Sequence, residues 1–189
     1  PQGIRYISRK RSNASKPIQH LFDHVNKRFV QLQKTDPEKF NDIRWLQENV
    51  AFTGEVLLGH LRYGTYGGNG LEQCHPFLRQ NNWRTRSLVL AGNFNMTNVD
   101  TLFNQLVELG QHPKEKADTV TILERIGHFL DVENDRIYYD HKEQYSKKDI
   151  SNVIARDMNV EDVLKNSSKH WDGGYVISGI IGHGDAFVL

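Results

Sequence analysis

The sequence predicts an α+β fold, because helix-like and strand-like segments both occur without a regular βαβ alternation. Apolar residues recur at helical spacing after Pro17, whereas residues 86–91 and 175–181 form short apolar runs that are typical of buried strands. The chain has 189 residues, of which 38% are hydrophobic and 25% are charged, so it can bury a sizeable core as one domain. We therefore predict a single domain over residues 1–189.

The first third of the chain predicts two helices and two strands. A helix over about 17–31 begins with Pro17, since proline suits the first helical position. A second helix is expected over 36–50, where apolar residues again keep helical spacing. Residues 4–8 are expected to form a short strand, and the apolar run at 55–62 is expected to form a buried strand that ends in a glycine-rich loop.

The rest of the chain continues the mixture of helices and strands. In order, we predict a strand at 86–91, helices at 99–109, 117–130 and 160–170, and two closing strands at 175–181 and 186–189. Gly110 is a typical residue to end the helix at 99–109. Residues 132–150 are polar and irregular in pattern, so we predict a surface insertion there. The segment Trp171-Asp-Gly-Gly174 is typical of a turn into a strand, and we assign no chemistry to it.

Composition excludes several classes of function. The formal net charge of +1 gives no global field for nucleic acid or membrane. A basic run precedes Asp23, the first acid. It is either a solvated face or a nucleic-acid arm, and we favour the solvated face.

The single cysteine, Cys74, excludes an internal disulfide and a cysteine-based zinc framework. It indicates a reducing compartment, so we expect the cytoplasm. No run approaches the ~20 apolar residues of a membrane span, and we predict no metal site.

Five short motifs occur in an order that resembles a known family. They are Gly59-His-Leu-Arg-Tyr-Gly-Thr65, Cys74-His-Pro-Phe77, Gly92-Asn-Phe-Asn-Met-Thr-Asn98, Ala117-Asp-Thr119 and Ile181-Gly-His-Gly184. In this order they resemble a class II glutamine amidotransferase domain, which belongs to the N-terminal-nucleophile hydrolases. Within that family they look most like the amidophosphoribosyltransferases of purine synthesis. The resemblance implies an αββα sandwich, here incomplete at its N-terminal edge.

The resemblance also implies a role for individual residues. Arg62 and Thr65 would hold the carboxylate end of glutamine, because a guanidinium offers charge-assisted hydrogen bonds to a carboxylate. Asp118 would hold the amino group, and Asn93 with the backbone N–H of Phe94 would form the oxyanion hole. Other readings stay open from the residues alone: Arg62 could pair with an acid at a strand end, and Asp118 could cap a helix.

Two departures from the family pattern limit these assignments. The family usually has His-Asn-Gly where this chain has Gly92-Asn93-Phe94, and phenylalanine restricts the backbone φ that glycine allows. The family's nucleophile is an N-terminal cysteine, whereas this chain begins with Pro1. Cys74 is a poor replacement, because neighbouring side chains on an extended segment point to opposite faces and His75 would point away from it. We therefore expect the chain to be the middle of a longer enzyme and to be inactive by itself.

The implied function is glutamine recognition in a glutaminase that supplies ammonia to phosphoribosyl pyrophosphate. The partners would be glutamine and a phosphoribosyltransferase domain of the same parent chain; the resemblance leaves a homo-oligomer open. No cofactor is expected in this chain, and any Mg²⁺ would belong to the phosphoribosyl pyrophosphate site of the parent. The alternative is an amidotransferase-like binding or interaction domain that lost its nucleophile in the natural protein.

Overall fold

The computed structural model describes residues 7–62 and 70–189, and the chain divides into two compact units, Pro1–Pro76 and Phe77–Leu189. Most of the predicted strand at 4–8 lies outside the described residues. The single-domain organisation over residues 1–189 stays a prediction. The mixture of helices and strands that the sequence predicts is confirmed.

The first unit is helical in its described residues. Its elements are α1 (Pro17–Thr35), α2 (Pro37–Asn41), α3 (Ile43–Asn49) and a 3₁₀ turn (Leu71–Gln73). The predicted first helix is confirmed and continues for one more turn. The predicted second helix is divided, because Asp42 has extended backbone angles and its carboxylate caps α3 by accepting the Trp45 N–H at 2.9 Å.

The prediction of a buried strand at 55–62 is wrong. These residues form neither helix nor strand, and Leu57 and Leu61 are 79% and 70% exposed. An apolar run forms a stable strand only when it pairs with another strand and covers a core. Among the described residues of the first unit there is no strand, and Val50 is the one buried hydrophobic residue.

The second unit contains an antiparallel sheet and four helices in its described residues. Its elements are β1 (Phe77–Arg79), a 3₁₀ turn (Arg84–Arg86), β2 (Leu88–Met96), α4 (Val99–Glu108), α5 (Asp118–His141), α6 (Ile150–Asp157), α7 (Val160–Ser168), β3 (Gly173–Ile181) and β4 (Ala186–Val188). The strand order is β1-β2-β3-β4, and all neighbours are antiparallel. The predicted helices at 99–109 and 160–170 and the two closing strands are confirmed.

The core of the second unit lies between the sheet and α5. Leu88 and Leu90 of β2 and Ile177 of β3 are fully buried, as are Ile122 and Ile126 of α5. Burying these side chains contributes roughly 1.5–3 kcal/mol each. The other helices complete the same cluster with Leu102 of α4, Val153 and Ile154 of α6, and Val163 and Leu164 of α7.

The predicted irregular insertion at 132–150 is wrong in its first half, because α5 continues to His141. The apolar periodicity does not reveal this part of the helix, because the polar Asn134 lies on the buried face between Leu130 and Ile137. Asn134 is fully buried, and its side-chain N–H groups donate to the carbonyls of Leu130 (2.8 Å) and Thr85 (3.2 Å). A buried amide whose N–H groups are hydrogen-bonded is compatible with the buried face of a helix.

Arg79 of β1 attaches the sheet to α5. Its guanidinium donates to both carboxylate oxygens of Asp131 (3.2 and 2.6 Å) and to Glu124 (3.1 Å), and it lies over Gly127. Burial by itself would lower the pKa of Arg79, but the hydrogen bonds and charge of Asp131, with those of Glu124, raise the pKa above its ordinary value. The position of α5 on the sheet therefore depends on a half-buried ion network as well as on apolar packing.

Gly127→Ala should lower the free energy of unfolding by about 1–3 kcal/mol. A Cβ at this position would lie 2.3 Å from the Arg79 Nε, which the two α5 carboxylates hold in place. In an Arg79→Ala background the same substitution should instead stabilise the protein by up to about 1 kcal/mol, because alanine is the better helix former. Urea denaturation of the four proteins measures both effects. Equal destabilisation in the two backgrounds would contradict the packing of Arg79 over Gly127.

Candidate functional site

Asp118 is the first residue of α5, and its carboxylate reaches the end of β2. The Oδ2 atom accepts the backbone N–H of Met96 at 3.0 Å. The side chain is half-buried and does not cap its own helix, whose N-cap residue is Ala117. Acidic side chains are favoured in the first turn of a helix, because the helix dipole places partial positive charge there. One carboxylate oxygen thus fixes the side chain to the end of β2.

Asn93 and Phe94 lie within β2, which the sequence predicted to end at residue 91 and which runs on to Met96. Just beyond the strand, the Thr97 N–H donates to the Asp172 carbonyl at 2.9 Å. Hydrogen-bonded pairs alternate along an antiparallel ladder, so Asn93 belongs to the set that exchanges hydrogen bonds with β3. The Phe94 N–H is therefore directed away from β3, to the same side as the Met96 N–H that Asp118 accepts.

The side chains of Asn93 and Phe94 point to opposite faces of the sheet. Asn93 is exposed, whereas Phe94 is half-buried and packs against the hydrophobic core. Phe94 lies in an unbroken strand opposite Tyr175, a conformation that any residue adopts. The restriction of φ that phenylalanine imposes relative to glycine thus has no effect in a strand of this geometry.

Arg62 lies in the first unit and is exposed, not at the end of a buried strand as predicted. Its Nη1 donates to the Gln73 carbonyl at 2.6 Å. A guanidinium has five N–H donors in a planar fork, and this contact takes one of them. Arg62 can therefore keep its contact with Gln73 and still bind a carboxylate.

A second arginine, which the motifs did not indicate, holds the same segment. Arg11 donates to the carbonyls of Glu72 (3.0 Å) and Cys74 (3.2 Å), so Arg11 and Arg62 bind three consecutive carbonyl groups. Arg9 of the same basic run donates to the Pro76 carbonyl at 3.5 Å. Two arginines of the run are thus engaged with the chain itself, which disfavours the hypothesis of a nucleic-acid arm. The Cys74 Sγ lies 3.7 Å from the Gly70 carbonyl oxygen and is half-buried.

His75 lies against His60 and close to the charge of Arg62. The two imidazole rings are 4.3 Å apart between centroids, with planes tilted by 33°. Burial lowers the pKa of His75 to about 4, and repulsion from His60 and Arg62 acts in the same direction. His75 is therefore neutral at pH 7 and senses the charge at Arg62.

The remaining site predictions are distributed over both units. Arg62 belongs to the first unit, and Asn93, Phe94 and Asp118 belong to the second, where Asp118 contacts the strand that carries the other two. Thr65 lies outside the described residues. Within 7–62 and 70–189, no group of three His, Cys, Asp or Glu side chains could hold a metal ion. The helices in that part of the chain include none that is long and apolar enough to cross a membrane.

Comparison with known proteins finds similarity to amidophosphoribosyltransferases over part of the chain. The enzyme of Bacillus subtilis is 40% identical over 81 residues, which cover 40% of this chain and 16% of the relative. That of Archaeoglobus fulgidus is 31% identical over 100 residues, covering 53% and 21%. That of Pseudomonas aeruginosa is 30% identical over 133 residues, covering 69% and 23%. The similarity that the motifs predicted is thus confirmed, although the chain spans less than a quarter of these relatives' length.

A solved structure of the glutamine phosphoribosylpyrophosphate amidotransferase of Bacillus subtilis, with ADP and GMP, covers 65% of this chain and 20% of its own, with 24% identity and a TM-score of 0.40. No protein-family model matches the chain.

His75 should titrate near pH 4 instead of near 6.5, as followed by the chemical shift of its ring protons in an NMR titration. Because the folded-state pKa is depressed, the unfolded chain binds the proton first, and stability should fall as the pH drops from about 6.5 towards 4. His60→Gln should raise the pKa of His75 by removing one repulsive neighbour. A titration near pH 6.5 in the wild-type protein would contradict the described burial of His75.

Proposed function

We propose that this chain is the glutamine-binding part of a glutaminase that supplies ammonia to phosphoribosyl pyrophosphate, as in an amidophosphoribosyltransferase. The observation that carries the proposal is the similarity to amidophosphoribosyltransferases of three distant organisms, which reaches 69% of the chain. The proposed fold is the αββα sandwich of N-terminal-nucleophile hydrolases, in which β1–β4 with α4 and α5 would supply one sheet and its helical layer.

The proposed role of Arg62 is to bind the α-carboxylate of glutamine, together with Thr65. The exposure of Arg62 supports this role, since a charge-assisted pair with a carboxylate is among the stronger hydrogen bonds. Its contact with the Gln73 carbonyl would hold the guanidinium in place before the ligand arrives.

The proposed role of Asp118 is to bind the α-ammonium group. Its Oδ2 is committed to the Met96 N–H, which leaves Oδ1 as the acceptor for the ligand. An ammonium group pairs with a carboxylate through charge-assisted hydrogen bonds. A neutral amide at this position would keep the contact with Met96 and lose the attraction for the ligand.

The proposed oxyanion donors are the Asn93 side chain and the Phe94 N–H. The exposure of the Asn93 amide and the direction of the Phe94 N–H away from β3 support this assignment. In the reaction, glutamine and water give glutamate and ammonia, and the donors would stabilise the negative oxygen that develops on the amide carbon. The nucleophile is proposed to be an N-terminal cysteine of the parent protein, and the ammonia acceptor site a phosphoribosyltransferase domain of that protein.

Glutamine should bind to the 189-residue chain, as measured by titration calorimetry, and Arg62→Ala should weaken binding by about 10–100-fold, the value of one charge-assisted hydrogen bond. Arg44→Ala is the matched control, because Arg44 is also an exposed arginine of the first unit. Bound glutamine should also raise the pKa of His75 above about 4, since its carboxylate would offset the charge of Arg62. Binding that leaves the His75 titration unchanged would refute the role of Arg62.

Asp118→Asn should weaken glutamine binding by a similar factor of about 10–100 while the thermal stability changes little, because the amide oxygen still accepts the Met96 N–H. Asp100→Asn serves as its control, since Asp100 is likewise an aspartate in the first turn of a helix, in this case α4. Unchanged glutamine affinity in Asp118→Asn, with binding intact in the wild type, would remove Asp118 from the site.

The isolated chain should release no ammonia from glutamine above the uncatalysed rate, because the proposed nucleophile belongs to the parent protein. A coupled glutamate dehydrogenase assay detects the ammonia. Ammonia release that Cys74→Ala abolishes would refute this prediction and identify Cys74 as the nucleophile. Cys74→Ser distinguishes loss of a nucleophile from a change in packing.

A further inference from the structure

We infer that Asp172, in the turn before β3, is a positioning residue for Asp118. This inference rests on the proposed function, because it concerns the site that would bind the α-ammonium group of glutamine. The sequence around Asp172, Trp171-Asp-Gly-Gly174, predicts a turn and no chemistry. In the structure, its backbone and its side chain are both bound to the residues that directly follow β2.

Asp172 is held through three of its polar groups. Its carbonyl accepts the Thr97 N–H at 2.9 Å, and its carboxylate Oδ2 accepts the Thr97 hydroxyl in a short hydrogen bond. Its own N–H donates to the Asn98 side-chain oxygen at 3.2 Å, and the Asn98 amide donates to the His170 carbonyl at 2.7 Å. The turn before β3 and the turn after β2 are therefore joined by side chains as well as by the sheet ladder.

The contacts of Asp172 with Thr97 restrict the position of Met96, which binds Asp118. Thr97 directly follows Met96, whose N–H is donated to the Asp118 carboxylate. On the neighbouring strand, Gly173 directly follows Asp172 and lies opposite Met96. Any movement of the Thr97 backbone would therefore shift the Met96 N–H relative to Asp118.

The turn can make this close contact because residue 173 is glycine. Gly173 has φ = +128°, and a Cβ there would lie 2.2 Å from the Asn95 carbonyl oxygen. Any side chain at this position would separate the two turns. The glycine thus lets Asp172 come near enough to bind the Thr97 hydroxyl.

On the α5 side of the Asp118–Met96 hydrogen bond, the helix is held by contacts of its own. Helix α5 is fixed by its buried apolar face, and the buried Arg125 donates from Nε to the Ser167 carbonyl at 3.0 Å and from Nη1 to Gln105 at 2.8 Å. At the end of β2 the Met96 side chain is buried in the core, whereas its neighbours Asn95 and Thr97 are exposed. The Asp172 contacts hold the exposed Thr97, and with the burial of Met96 they set where the Met96 N–H meets the Asp118 carboxylate.

Two ligands distinguish positioning from a general role in folding. Glutaramic acid is glutamine without the α-amino group, so its binding does not use Asp118. Asp172→Ala and Thr97→Val should each weaken glutamine binding by about 3–10-fold and leave the affinity for glutaramic acid unchanged. Thr97→Ser, which keeps the hydroxyl, and Asp172→Asn, which keeps an oxygen acceptor, should retain glutamine affinity. Calorimetric titration of the full chain with both ligands measures these values.

The matched control is Asp149→Ala. Asp149 lies in another turn and accepts a hydroxyl from Ser146 at 2.6 Å, so this substitution removes the same kind of pair elsewhere. It should leave both affinities unchanged. Adding Asp172→Ala to Asp118→Asn should cause no further loss of glutamine affinity, because the residue to be positioned has already lost its charge.

The outcomes separate the two proposals. No glutamine binding by the wild-type chain would overturn the proposed function, and this inference with it. Wild-type binding with an equal loss of both ligands in Asp172→Ala and Thr97→Val would overturn the inference alone, since it would show a role in folding only. Unchanged glutamine affinity in both variants would also overturn the inference alone.

Discussion

The ion network that Arg79 forms with α5 is the constraint on which the second unit depends. Arg79 is placed by the pairing of β1 with β2, and it binds Asp131 and Glu124 on α5 over the space that Gly127 leaves. Because the pair Arg79–Asp131 is only partly exposed, removing either partner would leave a charge without its compensation. With Arg79 bound to one face of α5, the apolar core can pack the helix on the sheet in only one orientation about the helix axis.

This orientation of α5 determines where its N-terminus meets the sheet. Asp118 reaches Met96 at the end of β2, while the same strand carries Asn93 and Phe94. A carboxylate, an exposed amide and a directed backbone N–H are thereby placed along one strand and one helix end. In the first unit the constraint is different in kind, because Arg11 and Arg62 hold the segment around Gln73 through its carbonyl groups, with little apolar burial.

The proposed chemistry uses two charged groups, Arg62 and Asp118, and each of them also has a structural contact. Arg62 binds the Gln73 carbonyl, and Asp118 binds the Met96 N–H, so both charges are oriented before a ligand is present. Preorganisation of this kind lowers the conformational cost of binding. The pKa of His75 is lowered by burial and by the charges of His60 and Arg62, so it provides a local measure of the charge at Arg62.

The sequence by itself determined the mixed fold class, the helices with strong apolar period, the closing strands and the motif order that led to the amidophosphoribosyltransferases. Local signals suffice there, since helix periodicity and residues such as Gly110 act over a few positions. Only the tertiary structure decided that 55–62 forms no strand, that α5 continues past the polar Asn134, and that Asp172 holds Thr97. Each of these depends on groups distant in the chain. Residues 55–62 pair with no strand among the described residues of their unit, Asn134 binds the Thr85 carbonyl, and Asp172 binds a hydroxyl 75 positions away.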